Sequence, residues 1–416
     1  MPQDHCEPSI GPPELSLVGV FTRFLRFGLL AWGGPTAQID MIRHELVERE
    51  RWVDEPRFRR ALAVYQALPG PEAHELCCWF GMLARGRAGS IAAGLGFMLP
   101  GFILMLLCAS LYMHFGVRGA IVGGAFAASQ AAVVGLVIRA TVRLVIAFAS
   151  GAHLGAIAMM AGIAQLMSVP FWVPLLVGGI AHALARSRLA VLAAPAILGG
   201  IALALWIGSH VSLPAAITDG GRSLTVETPG VVRLFGTGLT GGLVSFGGAY
   251  TAIPVVHDAA TGPHGWMTEA QFLDGIAIGG ILPAPLVIFG TFVGYMGGGF
   301  VGALLVTLGI FLPAFGFTLL GHGVFERLVA NERLHAFLDG LAAAVAGLIA
   351  TTALFLLASC VGFSLSGQGE TIAIAITRPS SLVIATASCS LLFVVKGRWI
   401  VPILLLASAT VGAILL

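Results

Sequence analysis

The sequence predicts an all-α polytopic membrane protein, made of two inverted-topology repeats whose helices are broken inside the bilayer. Three observations carry that expectation. The 416-residue chain is 57% hydrophobic and only 10% charged, whereas soluble domains run near one quarter charged, so it could not solvate a water-facing surface of this size. Its apolar runs reach the roughly 20 residues that a spanning helix needs. Its two halves also repeat one another in register, with helix breakers at matching places.

Residues 1–14, MPQDHCEPSIGPPE, are polar, proline-rich and free of basic residues, so they read as a tail rather than the charged start of a secretory signal. Full spans are expected at 88–112, 119–138, 144–168, 170–186, 189–209, 300–322, 336–360, 379–395 and 399–416. The longest polar linker, 210–229, separates a first repeat, 15–209, from a second, 230–416.

The repeats align almost without gaps. GLLAWGGPTAQI (28–39) lies over GLVSFGGAYTAI (242–253), with Trp32 over Phe246 and Gly33–Gly34 over Gly247–Gly248, an offset of 246 − 32 = 214. At the same offset RWVDEPRF (51–58) lies over GWMTEAQF (265–272), and LPGP (68–71) over LPAP (282–285). One residue then drops out, and GFMLPGF (96–102) lies over GIFLPAF (309–315) at 313 − 100 = 213. Chance does not hold one register through four motifs.

Arginines orient the repeats. Residues 35–60 contain Arg43, Arg49, Arg51, Arg57, Arg59 and Arg60, and the following loop adds Arg85 and Arg87, whereas 249–326 contains no lysine or arginine. Basic residues stay on the cytoplasmic side. The first repeat therefore turns these loops to the cytoplasm and the second turns its own to the periplasm. This places the N-terminus in the cytoplasm, the linker and the C-terminus in the periplasm.

Each half carries two breaks. Gly33–Gly34–Pro35 and Pro69–Gly70–Pro71 interrupt apolar runs of the first, and Phe246–Gly247–Gly248 and Pro283–Ala284–Pro285 those of the second. Proline suits the first position of a restarting helix. Reading every break as a hairpin of half-helices gives four hairpins and nine spans, about thirteen membrane segments. Non-helical backbone survives at membrane depth only where it is buried in protein or lines a watery cavity, and matching breaks in inverted halves point to a substrate site near the midplane. Helix restarts at Pro35, Pro71, Gly248 and Pro285 would offer free N–H groups and positive dipole ends, which favour an anion. Half-helix C-termini could equally coordinate a cation, and glycine and proline also serve ordinary helix packing.

Among ionisable residues, Arg23 and Arg26 share one face of the first half-helix, where they either meet an oxyanion through their planar forks or snorkel to the headgroups. Gln66 either hydrogen-bonds substrate or caps backbone. Glu72, His74 and Glu75 follow Pro71, where acids suit a helix N-terminus; proton coupling through Glu72 and His74 is the functional alternative. Glu45–Arg49 and Glu55–Arg59 have the spacing of paired charges on a solvated helix face.

Several classes are excluded. One lysine, Lys396, accompanies the arginines and no Walker A loop surrounds it, so transport would be passive or driven by an ion gradient or the membrane potential. No basic run interleaved with aromatics suggests nucleic acid. Six cysteines lie mostly in apolar runs without a C-x-x-C pair, and no metal or cofactor motif is present, so neither metal nor cofactor is expected.

At FLRFGLLAWGGP (24–35), ERERWVDEPRFRRALAVYQALPGP (48–71), GFMLPGF (96–102), GLVSFGGAYTAIP (242–254), GWMTEAQFLDGIAIGGILPAP (265–285) and GIFLPAFGF (309–317) the sequence resembles the long, two-domain form of the chromate ion transporter (CHR) family. It departs in Trp32, where the family has phenylalanine, and in Ala284, where the motif has glycine. The resemblance implies export of chromate across the bacterial inner membrane, with chromate resistance as the outcome and sulfate as a competing oxyanion. The lipid bilayer is the other partner, and a homo-oligomer is compatible with the sequence. A sulfate transporter and a membrane-bound chromate reductase are the alternatives to be separated from this reading.

Overall fold

Ser16 opens the first helix as its N-cap, its hydroxyl accepting from the Gly19 amide at 3.0 Å. The computed structural model describes residues 11–116, 119–149, 151–167, 169–186, 195–196, 198–200, 202, 229–245, 249–262, 264–320, 332–368, 371–395, 397 and 399–415. Helix α1 (Leu17–Leu29) ends at the first break, where Gly33 and Gly34 take φ of +95° and +84°, backbone that glycine adopts without strain. Helix α2 (Pro35–Arg43) restarts on its proline and runs into a π-turn, His44–Arg49. Helix α3 (Glu55–Ala67) is capped by Asp54, and α4 (Glu72–Phe115) follows the second break. Helices α5 (Ala120–Phe148), α6 (Ala152–Leu166) and α7 (Trp172–Ala185) follow in the first half, with short helical pieces at 195–196 and 198–200.

The second half opens with α8 (Val231–Leu243), a 3₁₀ turn at Ala249–Ala252 and α9 (Ile253–Thr261). Helix α10 (Glu269–Ile281) starts in a capping box between Thr268 and Gln271. A 3₁₀ turn, Leu286–Ile288, then leads into α11 (Phe289–Leu320), followed by α12 (Glu332–Val361), α13 (Pro379–Val394) and α14 (Ile400–Leu415). The described chain departs from all-helical structure at one antiparallel hairpin, β1 (Phe363–Gln368) with β2 (Thr371–Ile376).

Among the described residues, four stretches are long and apolar enough to cross a membrane, Glu72–Phe115, Ala120–Phe148, Leu286–Leu320 and Arg333–Val361, and α6, α7, α13 and α14 are shorter apolar helices. Helix α5 runs past the expected end at 138 and carries Arg139 and Arg143 within it. The expected span at 189–209 and the linker fall largely outside the described residues.

Local geometry recurs at the spacing of the sequence motifs. Helix α4 kinks at Arg85 (φ −148°, ψ 29°) and Gly86 (φ 61°, ψ −151°), and α11 kinks 213 residues later at Gly298 (−158°, 27°) and Gly299 (56°, −143°). Asp54 and Thr268, 214 apart, both cap helices through their side chains. Gly28 of α1 packs so tightly on α4 that a Cβ would collide with the Phe97 carbonyl; Gly242 of α8 meets the Ile310 carbonyl of α11 in the same way. Each pair of helices is thereby backbone-to-backbone, the close approach that small residues allow between membrane helices.

Helices α1–α4 and α8–α11 thus form two hairpin units, which meet along α4 and α11. The remaining helices form a third layer, in which α5 packs on α13 and α14 while α6 and α7 pack on α12.

Candidate functional site

The breaks of the two halves come together. Gly33 and Gly34 of the first break line a small cavity with Tyr250, Gly279, Gly280, Leu282, Ala284, Leu286 and Val401, so it is bounded by the residues around the Pro283–Ala284–Pro285 break. The cavity holds about 30 Å³, roughly the volume share of one water molecule. A second link joins the other two breaks: the Gly70 amide donates to the Ser245 carbonyl at 2.9 Å. Ser245 immediately precedes Phe246, Gly247 and Gly248, which lie outside the described residues.

The helix starts behave as the prolines suggest. Pro35 is the first residue of α2 with Gly34 as N-cap, Pro71 is the N-cap of α4, and Pro285 is the N-cap of the turn leading into α11. Each start has amides free of intrahelical partners. The first break is tied internally by Gln38, buried, whose Nε2 donates to the Ala31 carbonyl at 3.0 Å. Pro69 and Gly70 precede a buried helix start, and Gly70 has φ +156°.

Arg23 and Arg26 separate in role. Arg23 is ion-paired to Glu50, and its guanidinium lies over the rings of Trp52 (5.5 Å) and Phe27 (5.8 Å). It thereby clamps the hairpin between the π-turn and α3 against α1. Trp52 adds an indole N–H bond to Glu50 at 2.9 Å. Arg26 is exposed in the last turn of α1, beside the break. In the second half Arg233 of α8 lies 5.0 Å over Trp266 and donates to the carbonyls of His264 (2.7 Å) and Ala259 (3.0 Å). Trp266 stands 214 residues after Trp52, so each half covers its matching tryptophan with an arginine.

A second pairing also recurs. Arg43 Nε meets Glu55 at 3.1 Å, and 214 residues on His257 Nε2 meets Glu269 at 2.7 Å. The expected helix-face pairs Glu45–Arg49 (3.3 Å) and Glu55–Arg59 (2.8 Å) are both formed. On this water-facing stretch the hydrogen bonds from Arg59 and Arg43 hold the Glu55 carboxyl below its ordinary range.

Trp32 packs on Trp399 of the second half, ring centroids 4.9 Å apart and planes tilted by 37°. The two flank an open cleft of about 570 Å³ that also contains Asp40, His44 and Glu45. Its acids make it a poor resting place for a dianion. Gln66 is exposed and reaches the side chain of Glu72.

Glu72, His74 and Glu75 are all buried. His74 packs between the halves, its ring 4.8 Å from those of Phe311 and Phe315 on α11. Three participants escaped the sequence reading. Tyr250 and the Gly279–Gly280 pair line the cavity between the breaks. Asp274, buried in α10, accepts from Tyr112 (2.8 Å) and Gln130 (2.9 Å). An acid inside the apolar run FLDGIAIGG was the available signal for the last.

Comparison with known proteins identifies the family. The description "Chromate transporter" matches residues 18–184 and 232–413. The chain belongs to the chromate transporter family. The chromate transport protein of Pseudomonas aeruginosa is 50% identical over 347 residues, covering 82% of this chain and 81% of that one. The probable chromate transport protein of Synechococcus elongatus is 28% identical over 81% of this chain and 84% of its own. The chromate transport protein of Cupriavidus metallidurans is 27% identical over 81% and 82%. No solved structure matches. This chromate transporter is therefore a membrane protein with a transport function, not an enzyme, and the reductase alternative falls away.

Proposed function

We propose that this chromate transporter exports chromate from the cytoplasm across the bacterial inner membrane and so confers chromate resistance. In this reading the halves, 15–209 and 230–416, are inverted repeats with about thirteen membrane segments, the N-terminus cytoplasmic and the C-terminus periplasmic. The matching kinks, caps and glycine contacts at spacings of 213 and 214 support it. So does the one-sided distribution of arginine.

The observation that carries the proposal is the convergence of the breaks, with Gly33–Gly34 facing Leu282–Leu286 across one cavity and Gly70 bonded to Ser245. Helix starts at Pro35, Pro71 and Pro285, with the glycines that precede them, present amides to a tetrahedral dianion. Phe246, Gly247, Gly248 and Pro283 supply the corresponding breaks of the second half. Arg26 supplies a cation at the end of α1, while Arg23 holds the hairpin through Glu50.

The membrane potential is an adequate driving force. A dianion leaving a negative interior gains about 2.3 kcal/mol per charge per 100 mV, roughly 4.6 in all, which supports an outward gradient on the order of a thousandfold. Sulfate, a dianion of the same shape, is the expected competitor. Labelled chromate entering everted membrane vesicles tests the reading. Accumulation that requires an imposed potential and is suppressed by excess sulfate is the expected result; absence of accumulation with correctly inserted protein would sink it.

A further inference from the structure

Glu75 has no structural use that its surroundings explain. It is fully buried in the first turn of α4, and neither carboxyl oxygen has a hydrogen-bond partner. The carboxyl folds back on the break: a Cβ placed on Gly70 would lie 2.6 Å from Glu75 Oε1. Gly70 must therefore be bare to leave room for it. The second half makes the same point in reverse. Counting 214 onward, Glu75 becomes Phe289 and Gly70 becomes Ala284. Where the carboxyl is gone, the glycine is gone too.

The titratable groups that reach Glu75 are Glu72 on its own helix, Tyr65 on α3 and Cys78 one turn along α4. Helix α11, across the unit boundary, presents phenylalanines to the neighbouring His74 and has no Asp, Glu, Lys, Arg or His of its own. An ionised carboxylate in this place would accept no hydrogen bond and face no cation to replace its water, and the free amides of the helix start favour it only in part. The closed packing suits Glu75 with its proton on; an opening of the break at Gly70 would let water in and the proton out.

We propose that the Glu75 carboxyl, with Glu72 beside it, is a proton-binding site whose loading and release are tied to passage of the anion. This rests on the transport reading, and it assigns the proton to a residue in the first half alone, so the two halves do unlike work. The coupling site is asymmetric although the frame repeats.

The experiment uses purified full-length protein in proteoliposomes, with a trapped pH-sensitive dye and labelled chromate. The expected result is proton movement accompanying chromate flux in the wild type. In the Glu75→Gln variant, residual chromate flux should move no protons and lose its dependence on pH. Chromate flux without proton movement in the wild type would overturn the proton site and leave the transport reading standing. Wild-type proton movement in Glu75→Gln would also overturn it. A second measurement does not depend on the variant folding: chromate added to the unbuffered wild-type protein in detergent should change the number of bound protons, and a flat response rejects the proposal. If the wild type moves no chromate in either direction, the transport reading fails and the proton site falls with it.

Discussion

The Gly70 amide donates to the Ser245 carbonyl at 2.9 Å, so a single backbone bond joins the second break of one half to the first break of the other. The bond fixes where Gly70 sits, and the Glu75 carboxyl fixes what may occupy the position. Gly70→Ala is expected to destabilise the protein by about 1–3 kcal/mol through a strained φ and a displaced carboxyl. Thermal unfolding in detergent would measure this, and Ala284→Gly is expected to be mild in the same assay.

Arg23 and Glu50 act as one unit. Arg23→Ala and Glu50→Ala are expected to cost about the same, and the double variant little more than either, with a coupling of about 0.5–3 kcal/mol. A double-mutant cycle on unfolding reads this directly. Additive losses would remove the clamp.

Arg26 is expected to behave in the opposite sense. Arg26→Ala should lower chromate flux while leaving thermal stability within about 0.5 kcal/mol of the wild type, as surface substitutions do. Wild-type flux in correctly inserted Arg26→Ala would assign the side chain to the headgroups instead.

Gly28 and Gly242 make equivalent contacts in the two halves. Gly28→Ala and Gly242→Ala should therefore destabilise to a similar degree, about 1–3 kcal/mol each, by forcing helix from helix. A large difference in their unfolding midpoints would argue that the two pairings are not equivalent.

The Glu55 pairs carry a pH dependence of known sign. Arg59 and Arg43 hold the folded carboxyl below its unfolded value, which lies near pH 4.3. Their contribution is complete above that value and lost as the pH falls through the lower folded one. The slope should be small because Arg59 is largely exposed and Arg43 and Glu55 are only half-buried. Thermal melts on acidification should show it in the wild type and not in Glu55→Gln.

Much of the frame was legible in the residues. Pro35, Pro71 and Pro285 mark helix starts because proline has no N–H to lose there, and the structure begins helices or turns at or beside each. The described apolar runs became helices, α12, α13 and α14 close to their expected limits, whereas α4 and α11 start earlier, α5 ends later and α6 starts later than expected. The site was only partly legible. Arg23 reads from sequence as either an oxyanion contact or a snorkelling cation, and sequence gives no sign that Glu50, 27 residues away, folds back onto it. Glu75 looked like a helix-start acid because burial and an empty hydrogen-bond shell are properties of the packed state. The hairpin at Phe363–Ile376 lies between the expected spans 336–360 and 379–395, a stretch for which the sequence carried no expectation.

The glycine contacts also decide what can slide. Within each hairpin unit, backbone lies on backbone, Gly28 on Phe97 and Gly242 on Ile310, and such seams leave no slack. Between the units the contacts are of another kind. Beside the Gly70–Ser245 backbone bond and the Tyr112–Asp274 bond, rings and a methyl group make much of the contact: Phe315 over Gly94, Ala284 over Gly101, Phe311 on His74. Smooth side chains against bare helix make a shear plane, and the cavity on the breaks' side is too small for a dianion while that plane is closed. A disulfide stitched across α4 and α11 is therefore expected to slow chromate flux in everted vesicles, and undiminished flux would remove the shear plane.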